Sequence, residues 1–401
     1  MRTTWTFHSA GELLFGAGAV DQLGEKATAL GLRRVLIVSD QRLAAAGLVD
    51  QVRRPLAAAG IAVEVFDGGE PEPSLELAEE CAAAARAARP DGLVAIGGGS
   101  NMDLAKVAAV VLSHGMRPSD YVGDCKVPGP IMPLICLPTT AGTGSEVTAS
   151  AVMTDTANQL KVGILSNNLR PRLAIVDPRL TLSCPAKVTA DSGIDALTHA
   201  IEAYTAVDNS VFPLAPGEQT VYQGRNPLAD SFAERAISLV GRHLVRAVTK
   251  PDDLAAREGM ALAALLAGLA FSNSGVALVH AMEYPVGGAT HCSHGEGNGL
   301  LLPYVMRYNL PTRRPEFARI AELLGEDIAG LDVEPAAERA VAAVEKLKSA
   351  IGIPSRLRDL GVTAGQLPLL AEKAAGIRRI LRVNPRAAIA DDIESIYREA
   401  L

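Results

Sequence analysis

Residues 91–106, DGLVAIGGGSNMDLAK, decide the class of fold. Residues 93–96 form a short apolar run, Gly97-Gly98-Gly99 interrupts it, and a helical pattern opens near Met102. An apolar run bounded by turn residues reads as a strand buried on both faces, and a glycine turn that feeds a helix is the joint of a βαβ unit. The same joint offers an anion close backbone approach and a helix N-terminus, so Gly98, Gly99 and Ser100 are a candidate pyrophosphate cradle. The run is not the G-x-G-x-x-G fingerprint, and a purely structural glycine turn is the competing reading.

Outward from this joint the pattern repeats. RRVLIVSD (33–40), IAVEVFDGG (61–69), IMPLICLPTT (131–140) and RLAIVDP (172–178) read as strands, and segments around 49–59, 75–88 and 104–113 read as helices. Strands alternating with helices imply a mostly parallel sheet flanked by helices. After Pro178 the strand signals fade and long helical stretches such as 258–271 and 336–350 take over. The expected organisation is a Rossmann-like α/β dinucleotide-binding domain over 1–185 and an all-α metal-binding domain over 186–401, with no fixed-period repeat and no low-complexity linker between them.

Two further stretches of the first half carry binding chemistry. Asp40 closes the strand 33–40, where a carboxylate accepts from a ribose diol and repels a 2′-phosphate, or simply caps a turn. PTTAGTGSEVT (138–148) sets hydroxyls and glycines after a strand, as a loop along a polar ligand does, although an ordinary Ser/Thr/Gly turn looks the same.

The second half offers a metal site. In TADSGIDALTHAIEAYT (189–205), Ile194, Leu197, Ile201 and Tyr204 recur at helical spacing, so Asp195 and His199 share one face. His280 lies in GVALVHAMEYP and His294 in HCSHGEGN, and a Gly/Pro-rich bend between them is expected to turn the second imidazole back towards the first. Three imidazoles and a carboxylate suit iron or zinc, whereas magnesium and calcium prefer oxygen shells. An Asp-x-x-x-His pair alone is commonly a surface or capping pair, but three of the seven histidines fall in this arrangement.

Composition sets the frame. The chain of 401 residues is 48% hydrophobic and 21% charged, as in a globular enzyme with two cores. Its net charge of -7 and scattered Lys and Arg argue against a nucleic-acid partner. The five cysteines include no C-x-x-C pair and read as free thiols in a reducing compartment. No basic segment followed by a long apolar core opens the chain, and no apolar run of membrane-spanning length goes uninterrupted, so a cytoplasmic location without membrane contact is expected.

These motifs resemble the iron-containing (group III) alcohol dehydrogenases, the family of lactaldehyde reductase and 1,3-propanediol dehydrogenase. FGAGAVDQLG, IGGGSNMDLAK, PTTAGTGSEVT, DALTHAIEAY, HAMEYPVGG, SHGEGNGLLLP and NPRAAIADDIESIYREAL occur in the family's order over nearly the whole chain. The resemblance implies NAD-linked hydride transfer to and from a small alcohol, aldehyde, diol or hydroxy acid, at a site between a dinucleotide-binding and a helical domain. It implies that Asp195, His199, His280 and His294 hold Fe2+, with Zn2+ as an alternative. It also places Gly98, Gly99, Ser100, Asp103, Thr139, Thr140, Thr143 and Lys161 around the NAD, makes Asp40 the position associated with preference for NAD over NADP, and implies a homodimer or larger homo-oligomer.

One position departs from the family. Many members carry a second His four residues after the ligand matching His280, thought to pass the alcohol proton to solvent; here the residue is Tyr284, a weak proton carrier at neutral pH. His291 is the candidate substitute, and otherwise water serves with Tyr284 shaping the pocket. YQGRNPLAD (222–230) and the Tyr-Pro pair also resemble the hydroxyacid-oxoacid transhydrogenases of the same family. A dehydroquinate-synthase-like cyclase, which shares the wider fold and returns its hydride, is the alternative of another class.

Overall fold

Every inner strand of the main sheet sends alternate side chains to two covered faces. The computed structural model describes residues 2–158 and 160–401. The strands are β1 (Leu13–Phe15), β2 (Arg34–Val38), β3 (Ala62–Phe66), β4 (Gly92–Gly97), β5 (Gly123–Asp124), β6 (Leu134–Pro138), β7 (Ser150–Asp155), β8 (Leu160–Leu165) and β9 (Leu173–Val176). Val35, Ile37, Val94, Ile96, Ile135 and Leu137 join one buried cluster with Leu23, Val52 and Leu56. Leu36, Val38, Leu93, Ala95, Leu134 and Cys136 join another with Ala78, Ala82, Met102 and Ala105. This double burial is why the strands read as unbroken apolar runs rather than as alternating ones.

The six strands lie in the order β1-β9-β6-β4-β2-β3, and every pairing is parallel. From β2 the chain steps outward to β3, then returns to β4 on the other side of β2. The order therefore reverses between β2 and β4, and ligands of open α/β sheets bind outside the carboxyl ends of the strands at such a reversal. Asp40 follows β2, Gly98 follows β4 and Thr139 follows β6, so the topology itself gathers the expected cofactor residues.

Several elements differ from the sequence expectation. The helix after β4 begins at Gly99, not near Met102, because Gly98 in extended backbone serves as its cap. A second sheet of order β5-β8-β7 carries no clear strand signal in the sequence, since its strands mix Thr154, Asp155, Lys161 and Gly163 with apolar residues.

The helical part contains no strand among the described residues. Its helix Ala186–Thr205 packs on Pro227–Thr249, Leu254–Ser274 and His294–Asn309. Leu254–Ser274 is long and apolar enough to cross a membrane, but 72% of its most apolar stretch is buried within the fold, which accounts for its composition. The Gly/Pro-rich bend expected between His280 and His294 is largely absent. Helix Leu278–Thr290 runs straight through Pro285, Gly287 and Gly288, and the turn is confined to His291, Cys292 and Ser293. A proline inside a helix removes one backbone donor, and here burial of Leu278, Val279, Met282 and Val286 outweighs that loss.

Contacts divide the chain into an α/β unit, His8–Cys184 with Gln219–Val221, and a helical unit, Pro185–Glu218 and Tyr222–Leu401 with the N-terminal residues through Phe7. Those first residues belong to the helical unit because Arg2 N donates to Ser210 O at 3.0 Å, Gln223 Nε2 donates to Thr6 Oγ1 at 2.8 Å, and the Phe7 ring lies 5.5 Å from that of Phe232.

Candidate active site

In the α/β unit the glycine turn and the 138–148 loop are packed against each other. A Cβ on Gly99 would lie 2.8 Å from Thr143 Cγ2, so only glycine allows this approach at the first residue of the helix. Thr139 N donates to Gly97 O at 2.9 Å, and Thr140 lies beside Gly98, its side chain 3.6 Å from where a Cβ would be. Gly98, Gly99, Thr139, Thr140 and Thr143 are thus brought together at a helix N-terminus, the arrangement that suits a diphosphate.

The remaining cofactor candidates play mixed parts. Asp40 accepts from Arg42 N at 2.9 Å and Leu43 N at 3.1 Å as the cap of helix Gln41–Ala45, and its other oxygen accepts from Asn101 Nδ2 at 2.7 Å. Asp40 therefore caps a helix just after the end of β2. Ser100 Oγ donates to Pro71 O, and Lys161 on β8 pairs with neighbouring Glu72 at 2.8 Å, so both hold the 71–72 segment. Asp103 is turned to the loop rather than to the turn: Ser145 Oγ donates to it at 2.6 Å and Val152 N at 2.9 Å. Beside it the buried Lys106 ammonium donates to Ser145 Oγ, Thr148 Oγ1 and Ser150 O at 2.8, 3.0 and 2.8 Å. Burial raises the Asp103 carboxyl and lowers the Lys106 ammonium, each partly offset by the other charge.

In the helical unit Asp195, His280 and His294 each present a donor atom within 4.8 Å of the others. Asp195 Oδ1 lies 3.8 Å from His280 Nε2 and 3.9 Å from His294 Nε2. Ligands 2.0–2.2 Å from a tetrahedral ion stand roughly 3.4 Å apart, so the spacing is a few tenths of an ångström wide of that shell. His199 stands beside the trio. Its Nδ1 is 3.8 Å from Asp195 Oδ2, and its ring stacks on His280 at 4.7 Å and on Phe271 at 4.1 Å. Burial alone would raise the Asp195 carboxyl, but His199, His294, His280 and the Asn298 amide together hold it below its usual value.

Local sequence explains the convergence. Ser293 caps the helix His294–Asn309, accepting from Glu296 N at 3.2 Å, and its hydroxyl donates to Asp191 Oδ2 at 2.6 Å, one turn before Asp195. Lys187 joins Asp191 and Glu296 at 2.6 and 2.8 Å. A Cβ on Gly295 would lie 2.0 Å from Asp191 O, so glycine lets the two helices touch beside the donors.

Around the donors lie buried polar groups that the sequence reading missed. Glu202 Oε2 is 2.6 Å from His280 Nδ1, and Glu283 Oε2 is bonded to His294 Nδ1. Asn298 Nδ2 donates to Asp195 Oδ1 at 2.8 Å and lies 3.2 Å from His280 Nε2 and 3.1 Å from His294 Nε2. Glu283 Oε1 and Asn298 Oδ1 are buried with no hydrogen-bond partner among the described residues. One buried carboxylate and two imidazole Nε2 atoms facing one point, with two further buried carboxylates behind the rings, are unfavourable without a cation, and the donor set fits a first-row divalent ion. The missed residues had a signal. Asp195, His199 and Glu202 follow i, i+4, i+7 on one helical face, Asn298 is four after His294, and Glu283 is three after His280.

Tyr284 is half-buried, with its ring 5.8 Å from that of His294. Burial pushes its phenol well up, Tyr222 adds to this and Arg379 opposes it, so the hydroxyl keeps its proton at neutral pH. His291 is exposed and ends helix Leu278–Thr290 in left-handed backbone, with φ of 57°. The structure brings Tyr284 to the imidazoles and gives His291 the place of a helix cap.

Comparison with known proteins points to one family. A sequence profile described as iron-containing alcohol dehydrogenase matches residues 10–178, and one described as Fe-containing alcohol dehydrogenase family, C-terminal, matches residues 217–401. The chain is 39% identical over 388 residues to an NAD-dependent methanol dehydrogenase of Bacillus methanolicus, covering 97% of each chain. It is 40% identical to a 1,3-propanediol dehydrogenase of Klebsiella pneumoniae, covering 96% of each. A solved 1,3-propanediol oxidoreductase superposes with a TM-score of 0.93 at 39% identity, covering 99% of this chain and 100% of that one.

Proposed function

The chain belongs to the iron-containing alcohol dehydrogenase family, and from that membership we propose that Asp195, His199, His280 and His294 hold one Fe2+ at which a small alcohol, diol or hydroxy acid is oxidised by NAD. It is an oxidoreductase acting on CH–OH groups, linked to NAD and dependent on a metal. The observation that carries the residue assignment is the convergence of Asp195 Oδ1 on Nε2 of His280 and His294, each imidazole backed by a buried carboxylate. When bound, the metal supplies Lewis acidity to the alcohol oxygen and the nicotinamide takes the hydride.

The protein's own groups supply placement. Glu202 and Glu283 accept the Nδ1 protons of His280 and His294, which puts the lone pair of each ring on the Nε2 beside Asp195. The helix N-terminus at Gly99, with Thr139, Thr140 and Thr143, would bind the diphosphate, and Asp40 would meet the ribose diol and disfavour a 2′-phosphate. Tyr284, protonated throughout the neutral range, would line the substrate side and orient the alcohol rather than carry its proton. Zn2+ would fit the same donors. A reducing cytoplasmic setting suits five cysteines that form no disulfide among the described residues, and a homodimer or larger homo-oligomer goes with the family.

The test is NADH formation by metal-stripped protein reloaded with Fe2+ or Zn2+, screened against methanol, 1,3-propanediol, 1,2-propanediol and 4-hydroxybutyrate. Metal-dependent release of NADH with an alcohol or diol is expected. Turnover that needs an added oxo acid and releases no NADH would make the protein a transhydrogenase, and undiminished NADH formation after stripping would contradict a metal-dependent dehydrogenase.

A further inference from the structure

The two imidazoles that face Asp195 each have a carboxylate behind them, and the two carboxylates are held differently. Glu202 accepts from Ala277 N at 2.7 Å and Val279 N at 2.6 Å as well as from His280 Nδ1, so it also ties down the start of helix Leu278–Thr290. Glu283 has no exposed surface; its Oε2 accepts from His294 Nδ1, and its Oε1 finds no hydrogen-bond partner among the described residues. That second oxygen faces Gly297, where a Cβ would come within 3.3 Å of both Oε1 and Cys292 Sγ. A neutral imidazole carries one proton on either of two nitrogens, and a carboxylate at Nδ1 fixes it there, turning the Nε2 lone pair outward.

We propose that Glu283 and Glu202 are positioning residues of the metal site, each fixing the tautomer and ring orientation of one ligand, and that Glu283 sets the affinity for the ion through His294. The inference rests on reading His280 and His294 as ligands. A fully buried carboxylate whose one oxygen meets a single neutral N–H is poorly compensated, and a divalent ion on the far nitrogen of the same ring supplies the missing positive charge. Glu283 has no second task comparable to the backbone bonds of Glu202, so its effect on the ion is separable from its effect on the fold. The half-exposed His294 ring, 33% accessible at its side chain, has more freedom than the buried His280 and therefore depends more on the group behind it.

The experiment measures Zn2+ affinity of metal-stripped full-length protein by competition with a chromogenic chelator, for wild type, Glu283→Gln, Glu283→Ala and Glu202→Gln. Glu283→Ala is expected to bind Zn2+ about 10- to 100-fold more weakly, and Glu283→Gln, which keeps an oxygen for the Nδ1–H, to recover most of that loss. In 15N-histidine-labelled, zinc-loaded protein, one downfield Nδ1–H resonance should vanish in Glu283→Ala and persist in Glu283→Gln. That signature carries the test even if Glu283→Ala lowers the unfolding temperature. Wild-type Zn2+ affinity in folded Glu283→Ala, or an Nδ1–H resonance of His294 unmoved by both substitutions, would overturn the inference. Failure of the wild-type protein to bind Zn2+, or wild-type affinity in His294→Ala, would instead overturn the metal assignment on which it rests.

Discussion

Asp40 is bonded in two ways, and a single substitution can separate its helix cap from its charge. Its Oδ1 caps helix Gln41–Ala45 through Arg42 N and Leu43 N, and its Oδ2 accepts from Asn101 Nδ2. Asn caps a helix as well as Asp does, so Asp40→Asn keeps the cap while it removes the charge and the bond from Asn101 Nδ2. Two unit charges 4 Å apart interact by about 4 kcal/mol at an effective dielectric of 20. Partial exposure and salt reduce this to about 1–2 kcal/mol against the 2′-phosphate of NADP, a roughly five- to thirtyfold preference for NAD. The assay is kcat/KM for both cofactors with 1,3-propanediol at low and high salt. Asp40→Asn should bring the ratio close to unity with a stability loss of about 1–2 kcal/mol, that of the lost Asn101 bond. The wild-type preference, but not that of the variant, should shrink as salt rises. Equal kcat/KM for NAD and NADP in the wild-type enzyme, or an unchanged preference in Asp40→Asn, would refute the role given to this carboxylate.

Tyr284→Phe should keep most of kcat at neutral pH while Tyr284→Ala raises KM, and a fall of two or more orders of magnitude in kcat for the Phe variant with metal and cofactor bound would make the hydroxyl a proton carrier. Burial pushes the Glu146 carboxyl from 4.5 up to about 7. The unfolded chain therefore releases this proton at lower pH than the folded one, so stability falls as pH rises from about 4.5 through 7, by roughly 3 kcal/mol in all. Glu146→Gln should unfold at the same denaturant concentration as wild type near pH 4.5 and at a higher one at pH 8; a pH-independent difference would count against the buried carboxyl. Gly295→Ala, whose Cβ would meet Asp191 O at 2.0 Å, should cost about 1–3 kcal/mol and weaken metal retention by parting the two helices, as thermal unfolding and bound-metal content would show.

The sequence was most legible where one interaction decides local structure. The runs RVLIV and GLVAIG are apolar throughout because both faces of their strands are buried, and the spacing of Asp195 and His199 follows from helical geometry alone. It was least legible where tertiary packing overrides local preference. Pro285 and two glycines announce a bend that burial of the surrounding helix suppresses, and the strands of the second sheet are too mixed in composition to announce themselves. The carboxylates behind His280 and His294 were hidden for another reason. Glu202 and Glu283 look like ordinary helix-surface carboxylates until the fold buries them against His280 and His294, and Asp103 and Lys106 look like a solvent-facing pair until the 138–148 loop closes over them.

Anomalous diffraction at the iron absorption edge from Fe2+-loaded crystals grown without oxygen is the direct measurement of where the metal sits. A metal-dependent dehydrogenase of this constellation requires one peak about 2.0–2.2 Å from an Asp195 oxygen and from Nε2 of His280 and His294, with His199 completing the shell. A peak elsewhere, or none in crystals of protein that still reduces NAD at its full rate, would contradict the assignment.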